Sequence, residues 1–337
     1  MKRYSILIPA YNVEKYIVEC VESVFSQTGN EKDLMPDSFE IIIADDGSTD
    51  STGKICDELA LIHSNITVYH KKNEGQLLTR RFLIEKASAE YILFLDADDK
   101  YEKTILKTLN NCIEQYNHPD MICFSFNLWQ GETYCHYEQI NTTVYYDSKN
   151  INKAWEMLLC GDTYNSVGSK AVKRSILLGA TVEKSLENIR RGEDKLQSIA
   201  ALEKAKSILF IPHPLYDYRI DNASMTRTFN PNYFCEIITV DSYAFEKLLK
   251  YTSGSEEYKI KWGENLVNKF VDYLLSAFTN LHKDEALEYI KSYASDDTVI
   301  RAVMYAKKGK RIKTKIKAYA VSMKLYKILW HMYQRRL

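Results

Sequence analysis

Through the first third of the chain, short apolar runs alternate with stretches whose apolar residues recur every three or four positions. Ser5 to Pro9, Phe39 to Ala44, Ile66 to His70 and Tyr91 to Leu95 read as strands. Val13 to Gln27, Thr52 to His63, Leu77 to Ala87 and Glu102 to Tyr116 read as helices. Strand and helix alternating at this interval is the signature of βαβ units around a mostly parallel sheet. In such sheets ligands bind at the carboxyl ends of the strands, so chemistry is sought there.

From Met121 to Tyr146 the pattern turns into aromatic-rich extended segments, which adds strands rather than another βα repeat. Helical periodicity returns over Asn152 to Leu159 and Asp194 to Glu203, a short strand follows over Ser207 to Ile211, and after about Pro231 the chain reads as helices. The expected division is an α/β domain over residues 1–230 and a helical C-terminal region over 231–337. A length of 337 residues with 45% hydrophobic content is enough for a large domain and an appendage.

Charge sharpens that division. The chain carries 45 basic and 45 acidic residues, but from Arg301 onward there are 12 Lys or Arg and no acid, leaving 33 basic against 45 acidic before it. An anionic body with a cationic tail points to an anionic surface as the tail's partner. The seven cysteines are spread singly, with no C-x-x-C pair, which fits reduced thiols in a cytoplasm better than disulfides or a zinc site. The apolar run near the N-terminus is broken by Pro9 and is too short for a signal peptide. No window of ~18 uncharged apolar residues offers a transmembrane helix.

The strand Tyr91 to Leu95 runs into "DADD", Asp96 to Asp99. In an extended chain Asp96 and Asp98 share one face. Two carboxylates there make a half-site for a hard cation, since Mg²⁺ is typically held by one or two carboxylates plus substrate phosphates. They would equally serve as a solvated turn that starts the next helix.

Four further motifs break that tie: "PAYNVEKYI" (Pro9 to Ile17), "IIIADDGSTDST" (Ile41 to Thr52), "NEGQLLTRR" (Asn73 to Arg81) and "RGEDK" (Arg191 to Lys195). With "FLDADD" they occur in an order that resembles the inverting family 2 glycosyltransferases. The likeness spans roughly residues 4 to 226. It implies the GT-A fold, a Rossmann-like, mostly parallel sheet flanked by helices, here with a helical C-terminal extension. "GSTDSTGK" only mimics a P-loop, having five residues between its glycines and Ile55 after the lysine.

The resemblance implies a role for each motif. Pro9, Ala10, Tyr11, Asn12 and Glu14 would shape the loop against the nucleotide base, and Asn12 would also suit a helix cap. Asp45 would accept a hydrogen bond from uracil N3–H, with Asp46 and Asp50 shaping the loop. Arg80 would reach the diphosphate. Leu77, Arg81 and Leu83 depart from the small or polar residues usual in that motif. Asp98 would ligate Mn²⁺ or Mg²⁺, with Asp96 contacting ribose, sugar or metal-bound water. Asp194 would be the general base, and Glu193 would orient it or bind the acceptor; acids at a helix start also suit the helix dipole. Arg219, Ser224 and Thr226 match a segment that folds over the diphosphate. His213 lies between two prolines and reads as structural more readily than as a metal ligand. Lys170 stands near the acceptor in such proteins, and Trp129 and Tyr134 would stack on a sugar or fill a core.

The activity implied is metal-dependent, inverting transfer from a UDP-sugar to a hydroxyl of a saccharide or lipid-linked acceptor, with no nucleic acid involved. The expected setting is bacterial capsule, lipopolysaccharide or exopolysaccharide synthesis. A non-catalytic nucleotide-sugar-binding partner is the alternative, which the intact Glu193–Asp194 pair opposes. A sugar-phosphate nucleotidylyltransferase would need a Gly-rich N-terminal loop that is absent.

In the tail, Ile312, Ile316, Tyr319, Met323, Tyr326, Trp330, Tyr333 and Leu337 recur at alternating spacings of four and three, predicting one helix with a single apolar stripe flanked by lysines. A basic amphipathic helix of this kind suits an anionic membrane surface, which would make the protein cytoplasmic and peripheral. The same stripe would serve for packing or a coiled coil.

Overall fold

The computed structural model describes residues 2–28, 38–131, 133–137, 140–159, 164–220 and 229–334. The chain forms two compact units, one of Met1–Ile151 with Tyr164–Asn222 and one of Asn152–Thr163 with Ala223–Leu337.

The first unit is built on a sheet. Strands β1 (Tyr4–Ala10), β2 (Phe39–Asp45), β3 (Ile66–His70) and β4 (Tyr91–Phe94) run parallel in the order β3-β2-β1-β4. Helices α1 (Ile17–Phe25), α2 (Thr52–Ile62) and α3 (Gln76–Lys86) connect them, and α4 (Ile105–Gln115) follows. Parallel strands covered on both faces need apolar residues at successive positions. "SILI" in β1 and "YILF" in β4 are accordingly buried throughout. Ile6, Ile8, Ile41, Ile43, Leu93 and Leu95 lie in the main core, each worth roughly 1.5–3 kcal/mol on burial.

Beyond β4 the sheet continues with mixed polarity through β9 (Lys170–Lys173), β6 (Met121–Gln130), β10 (Ile208–Arg219) and β5 (Lys100–Tyr101). Strand β9 is antiparallel to both neighbours, and β6 is parallel to β10. At the margins β7 (Thr133–Tyr137) pairs with β6 and β8 (Val144–Tyr146) with β10. Strand β10 runs far past the Ser207 to Ile211 expected of it. It passes through Pro212 and Pro214 by shifting register between Ile211, Pro214 and Tyr216. A bulge is where a strand tolerates residues that lack an N–H. The extension delivers Tyr216, Asp217 and Arg219 beside the acidic turn after β4. Two further helices, α6 (Arg174–Gly179) and α7 (Glu193–Leu202), complete the unit after α5 (Asn152–Leu159), which belongs to the second one.

The second unit is helical: α8 (Tyr233–Tyr251), α9 (Glu256–Asn280), α10 (Lys283–Ala294), α11 (Asp297–Ala306), α12 (Ile312–Ser322) and α13 (Tyr326–Gln334) join α5. Aromatic side chains fill it. Trp155 lies flat on Tyr251 at 4.1 Å between centroids, and Phe234 sits among Phe270, Tyr273 and Tyr293.

The single C-terminal helix expected from the stripe is two helices. Lys324 adopts φ 56°, Leu325 N–H donates to Ala320 O at 2.8 Å and Lys324 N–H to Val321 O at 3.0 Å. This closes α12 as a Schellman motif does, with lysine where glycine would advertise the stop. The stripe divides with it. Ile312, Ile316, Tyr319 and Met323 are exposed, whereas Tyr326 is buried and Trp330 packs at a tilt against Phe278. Thr314, Ala318 and Val321 are the buried face of α12, about 200° around from the stripe at ~100° per residue. Tyr333 lies in α13, while Leu337 lies outside the described residues.

Candidate active site

The loops after β1 and β2 hold one another. Asn12, at φ 52°, accepts the Thr49 N–H at 2.8 Å and donates its own N–H to Ser48 Oγ at 3.0 Å. Glu14 accepts the Ser51 N–H at 2.9 Å, and Val13 N–H donates to Thr52 Oγ1 at 2.8 Å. Asn12 therefore ties two loops together rather than capping α1. Pro9 and Ala10 end the strand beneath, and Tyr11 projects half-exposed from the turn.

Asp45 ends β2. Its Oδ1 accepts the Ser48 N–H at 2.9 Å, and its Oδ2 lies 3.0 Å from His70 Nδ1. Burial pushes its carboxyl up, but the bonds from Ser48 and His70 outweigh that and hold it below the usual range. His70 Nε2 lies 3.0 Å from Asp57, and the two carboxylates raise the imidazole's affinity for its proton. A Cβ at Gly53 would stand 2.8 Å from Asp45 Oδ2, so the first turn of α2 needs glycine to let the carboxylate in. Asp46 accepts the N–H groups of Glu74 and Gly75 at 3.0 and 2.9 Å and so fixes the start of α3.

Helix α3 then directs Arg80 inward. Arg80 is 1% exposed, its Nη2 donates to Asp96 Oδ1 at 2.8 Å and its Nη1 donates to Asp194 Oδ1. Gln76 Nε2 donates to the same Asp96 oxygen at 2.9 Å. One guanidinium thus joins an acid after β4 to an acid at the start of α7. The second oxygen of Asp194 accepts the Val167 N–H at 3.3 Å. Lys170, buried in β9, donates to the carbonyls of Tyr164 and Ser166 and shapes that loop. Each carboxylate oxygen has two lone-pair positions, so these bonds orient Asp194 while leaving it able to accept a proton. Burial, then the neighbouring Asp194 charge, push Glu193 up to about 7 against the pull of Arg80.

The other end of the acidic turn is built differently. Asp99 is 2% exposed and accepts Tyr216 O–H at 2.6 Å and Arg219 N–H at 2.7 Å. Burial and the charges of Asp98 and Asp96 raise its carboxyl well above the ordinary range. Gly168 makes room for Tyr216, whose ring carbon would lie 2.7 Å from a Cβ there. Arg219 Nε donates to the Asp98 carbonyl at 2.7 Å and its Nη2 to Glu19 at 2.5 Å, with the guanidinium 3.9 Å from the Trp129 ring centroid. Trp129 is buried and stacked near Tyr134. Ser224 and Thr226 lie outside the described residues.

Asp96 and Asp98 are half-buried carboxylates at one strand end, a donor set that fits a hard divalent cation. Among the described residues no group of three His, Cys, Asp or Glu side chains is placed to hold a metal alone, so such an ion would need substrate phosphates as ligands too. His213 sits instead in the bulge of β10, lining a cavity that neither Asp96 nor Asp98 lines.

Sequence reasoning did not find Gln76, His70, Val167 or Tyr216 as members of the site. Gln76 and Arg80 are one helical turn apart, a signal that becomes useful only once Arg80 is known to face inward. The others come from separate strands or from a backbone N–H, which leaves no trace in side-chain patterns.

The family model for "Glycosyl transferase family 2" matches residues 5–176. Over 250 residues the chain is 28% identical to "Glycosyltransferase GlyG" of Streptococcus pneumoniae, covering 71% of this chain and 78% of that protein. It is 28% identical over 237 residues to "Putative glycosyltransferase EpsH" of Bacillus subtilis, covering 68% and 64%. It is 29% identical over 242 residues to "Minor teichoic acid biosynthesis protein GgaB" of B. subtilis, covering 68% of this chain but 25% of that longer protein. Among solved structures, S. aureus TarS 1-349 in complex with UDP-GlcNAc aligns with a TM-score of 0.70 at 19% identity, over 99% of this chain and 92% of that one. That likeness shows the fold.

Proposed function

Because the chain belongs to glycosyl transferase family 2 and is a glycosyltransferase, we propose that it moves a sugar from a UDP-sugar to an acceptor hydroxyl, inverting the anomeric carbon. The observation that carries this reading is the buried Arg80 joining Asp96 to Asp194. It sets a donor-side acid and a proton acceptor at a defined separation, as a displacement needs. Asp194 takes the acceptor proton as the acceptor oxygen bonds to the anomeric carbon. The bond to UDP breaks and its electron pair leaves with the diphosphate. Glu193, pushed up by burial and by the Asp194 charge, carries less competing charge beside Asp194 than an ordinary carboxylate would. Asp98 with Asp96 would hold a divalent cation, Mn²⁺ or Mg²⁺, which would supply positive charge to the leaving diphosphate.

Asp45, kept ionised by Ser48 and His70, suits the N3–H of uracil, and the UDP-GlcNAc complex of TarS supports a uridine donor. The loop of Pro9, Ala10, Tyr11, Asn12 and Glu14 would pack around the base. Arg219, Ser224 and Thr226 remain the proposed diphosphate segment, with Arg219 exchanging its bond to Glu19 for a phosphate. Arg80 has both terminal nitrogens on carboxylates, and so its proposed part is to hold Asp96 and Asp194 beside the diphosphate. The likeness to GgaB, a minor teichoic acid biosynthesis protein, supports a bacterial surface polymer as the product, and we take the acceptor to be a saccharide or lipid-linked saccharide. We further take the donor-binding domain, expected over residues 1–230, to be the unit of Met1–Ile151 with Tyr164–Asn222, and the helical region, expected over 231–337, to be the unit of Asn152–Thr163 with Ala223–Leu337.

No helix among the described residues is long and apolar enough to cross a membrane. On α12 the exposed Ile312, Ile316, Tyr319 and Met323 stand among exposed Arg311, Lys313 and Lys324. This pairing of large apolar and cationic side chains supports peripheral binding to the anionic cytoplasmic face of a membrane.

The test is UDP release across UDP-sugars with Mn²⁺ or Mg²⁺. Asp194→Asn should lower release ~10²- to 10⁴-fold while UDP still binds. Undiminished release would reject Asp194 as the base.

A further inference from the structure

The unit that holds the site also contains a cavity of about 640 Å³ that the reaction above does not use. It opens between α1, β5, the outer part of β6 and the bulge of β10. Small-molecule sites run ~300–1,000 Å³, so the volume is that of a binding site rather than a packing defect. Asn127 and Asp217, each 4% exposed, line it, with Asn127 Nδ2 donating to Asp217 Oδ1 at 2.7 Å. Tyr134, 45% exposed, lines it too, lying beside the Trp129 ring at 6.3 Å between centroids.

The lining chemistry selects among ligands. Carboxylates, an amide, hydroxyls and ammonium groups offer hydrogen-bond acceptors and donors along one open cleft. An aromatic face beside them suits the C–H side of a sugar ring. Four carboxylates (Glu19, Glu22, Glu102, Asp217) oppose two ammonium groups (Lys100, Lys103), which disfavours a phosphate or carboxylate ligand. A neutral molecule rich in hydroxyls meets all three conditions.

The cavity also adjoins the acidic turn. Glu19 lines it and accepts from Arg219 at 2.5 Å, and Arg219 Nε donates to the Asp98 carbonyl. Lys100, also in the lining, stands 3.6 Å from the centroid of the same Trp129 ring that Arg219 covers. Arg219, packed on Trp129, thus links Glu19 of the lining to the acidic turn.

We propose that this cavity is a second saccharide site, which binds a neutral glycan segment of the acceptor beside the donor site. The proposal rests on the glycosyltransferase reading for its purpose but not for its binding. It is tested with the full chain on an array of neutral oligosaccharides, including β-linked N-acetylglucosamine and galactose oligomers, alongside oligomeric glycerol phosphate. Neutral glycans should bind, with UDP present or absent, and Asp98→Ala should leave that binding unchanged. Tyr134→Ala should weaken it by about five- to tenfold, the scale of one aromatic contact. Glu22→Lys, on an exposed position of α1, should shift preference toward the phosphate oligomer. UDP binding by both cavity variants reports that fold and donor site are intact. The proposal is overturned if no neutral glycan binds, if the phosphate oligomer binds best to the unaltered protein, or if Tyr134→Ala and Glu22→Lys change nothing. Loss of UDP binding in Asp98→Ala together with retained glycan binding separates the two sites.

Discussion

Asp96 and Asp99 stand three residues apart in one turn, yet their surroundings differ in kind. Asp96 faces the α3 side, where Arg80 and Gln76 donate to one of its oxygens and the guanidinium continues to Asp194. Asp99 faces the β10 side, where a phenol and a backbone N–H are its donors and its carboxyl is raised well above the ordinary range. Charge is met by a guanidinium on one side and only by uncharged donors on the other. A carboxylate meant to act on charged ligands needs a countercharge that fixes it without neutralising it, whereas one that braces a turn needs only hydrogen-bond donors.

The sharpest break in that contrast is Arg80→Ala. It would leave Asp96, Asp194 and Glu193 without their shared cation, and loss of a buried partner costs about 3–5 kcal/mol. Chemical denaturation should record a loss of that size. Arg80→Lys should recover part of the stability, since an ammonium restores the charge but not the two-pronged geometry.

Asp96→Asn compared with Asp99→Asn measures the two ends directly. Asp96→Asn should lower turnover roughly 10²-fold by weakening the hold on Arg80 and the donor. Asp99→Asn keeps the side chain's shape, its carbonyl still able to accept the Arg219 N–H while its amide N–H₂ faces the Tyr216 oxygen, so UDP release should stay within about threefold. Equal losses in steady-state kinetics would erase the distinction.

Glu193 sharpens the comparison through pH. Its folded pKa, about 7, exceeds the ordinary 4.5, so the folded state favours the protonated form. That contribution is complete below about pH 4.5 and disappears as pH rises through 7. Glu193→Gln should therefore stabilise the protein at pH 8, by up to about 3 kcal/mol, and by nothing near pH 4. Thermal melts across pH 4–8 would show a gain that grows with pH; a pH-independent difference would refute burial of the charge as its source.

The smallest effect is expected at His70. Replacing it with Ala removes a donor from Asp45 Oδ2 and should weaken UDP binding about threefold, read by calorimetry. The effect should shrink as pH rises above the raised His70 pKa, where the wild-type imidazole also loses its charge.

Much of the α/β architecture was readable because buried parallel strands must be apolar throughout and their covering helices must be amphipathic. The acids of "FLDADD" and "RGEDK" stand out for the same reason in reverse, since charge at the end of an apolar strand or at a helix start is conspicuous. The C-terminal stripe shows where periodicity stops being informative. The residues Ile312, Ile316, Tyr319 and Met323 repeat as a core face would, yet α12 packs through Thr314, Ala318 and Val321. Its stop uses a lysine at positive φ, which no glycine announces.

Local pattern thus specified which segments are strands and helices and where carboxylates accumulate, because both depend on residues close in sequence. The pairing of Arg80 with Asp194 spans 114 residues. That of Tyr216 with Asp99 spans 117. Whether an acid is matched by a guanidinium or sealed beside a phenol is set by which distant elements the sheet order brings to its side. Composition and spacing carry no information about that, because the energy of a buried charge depends on its neighbours in space.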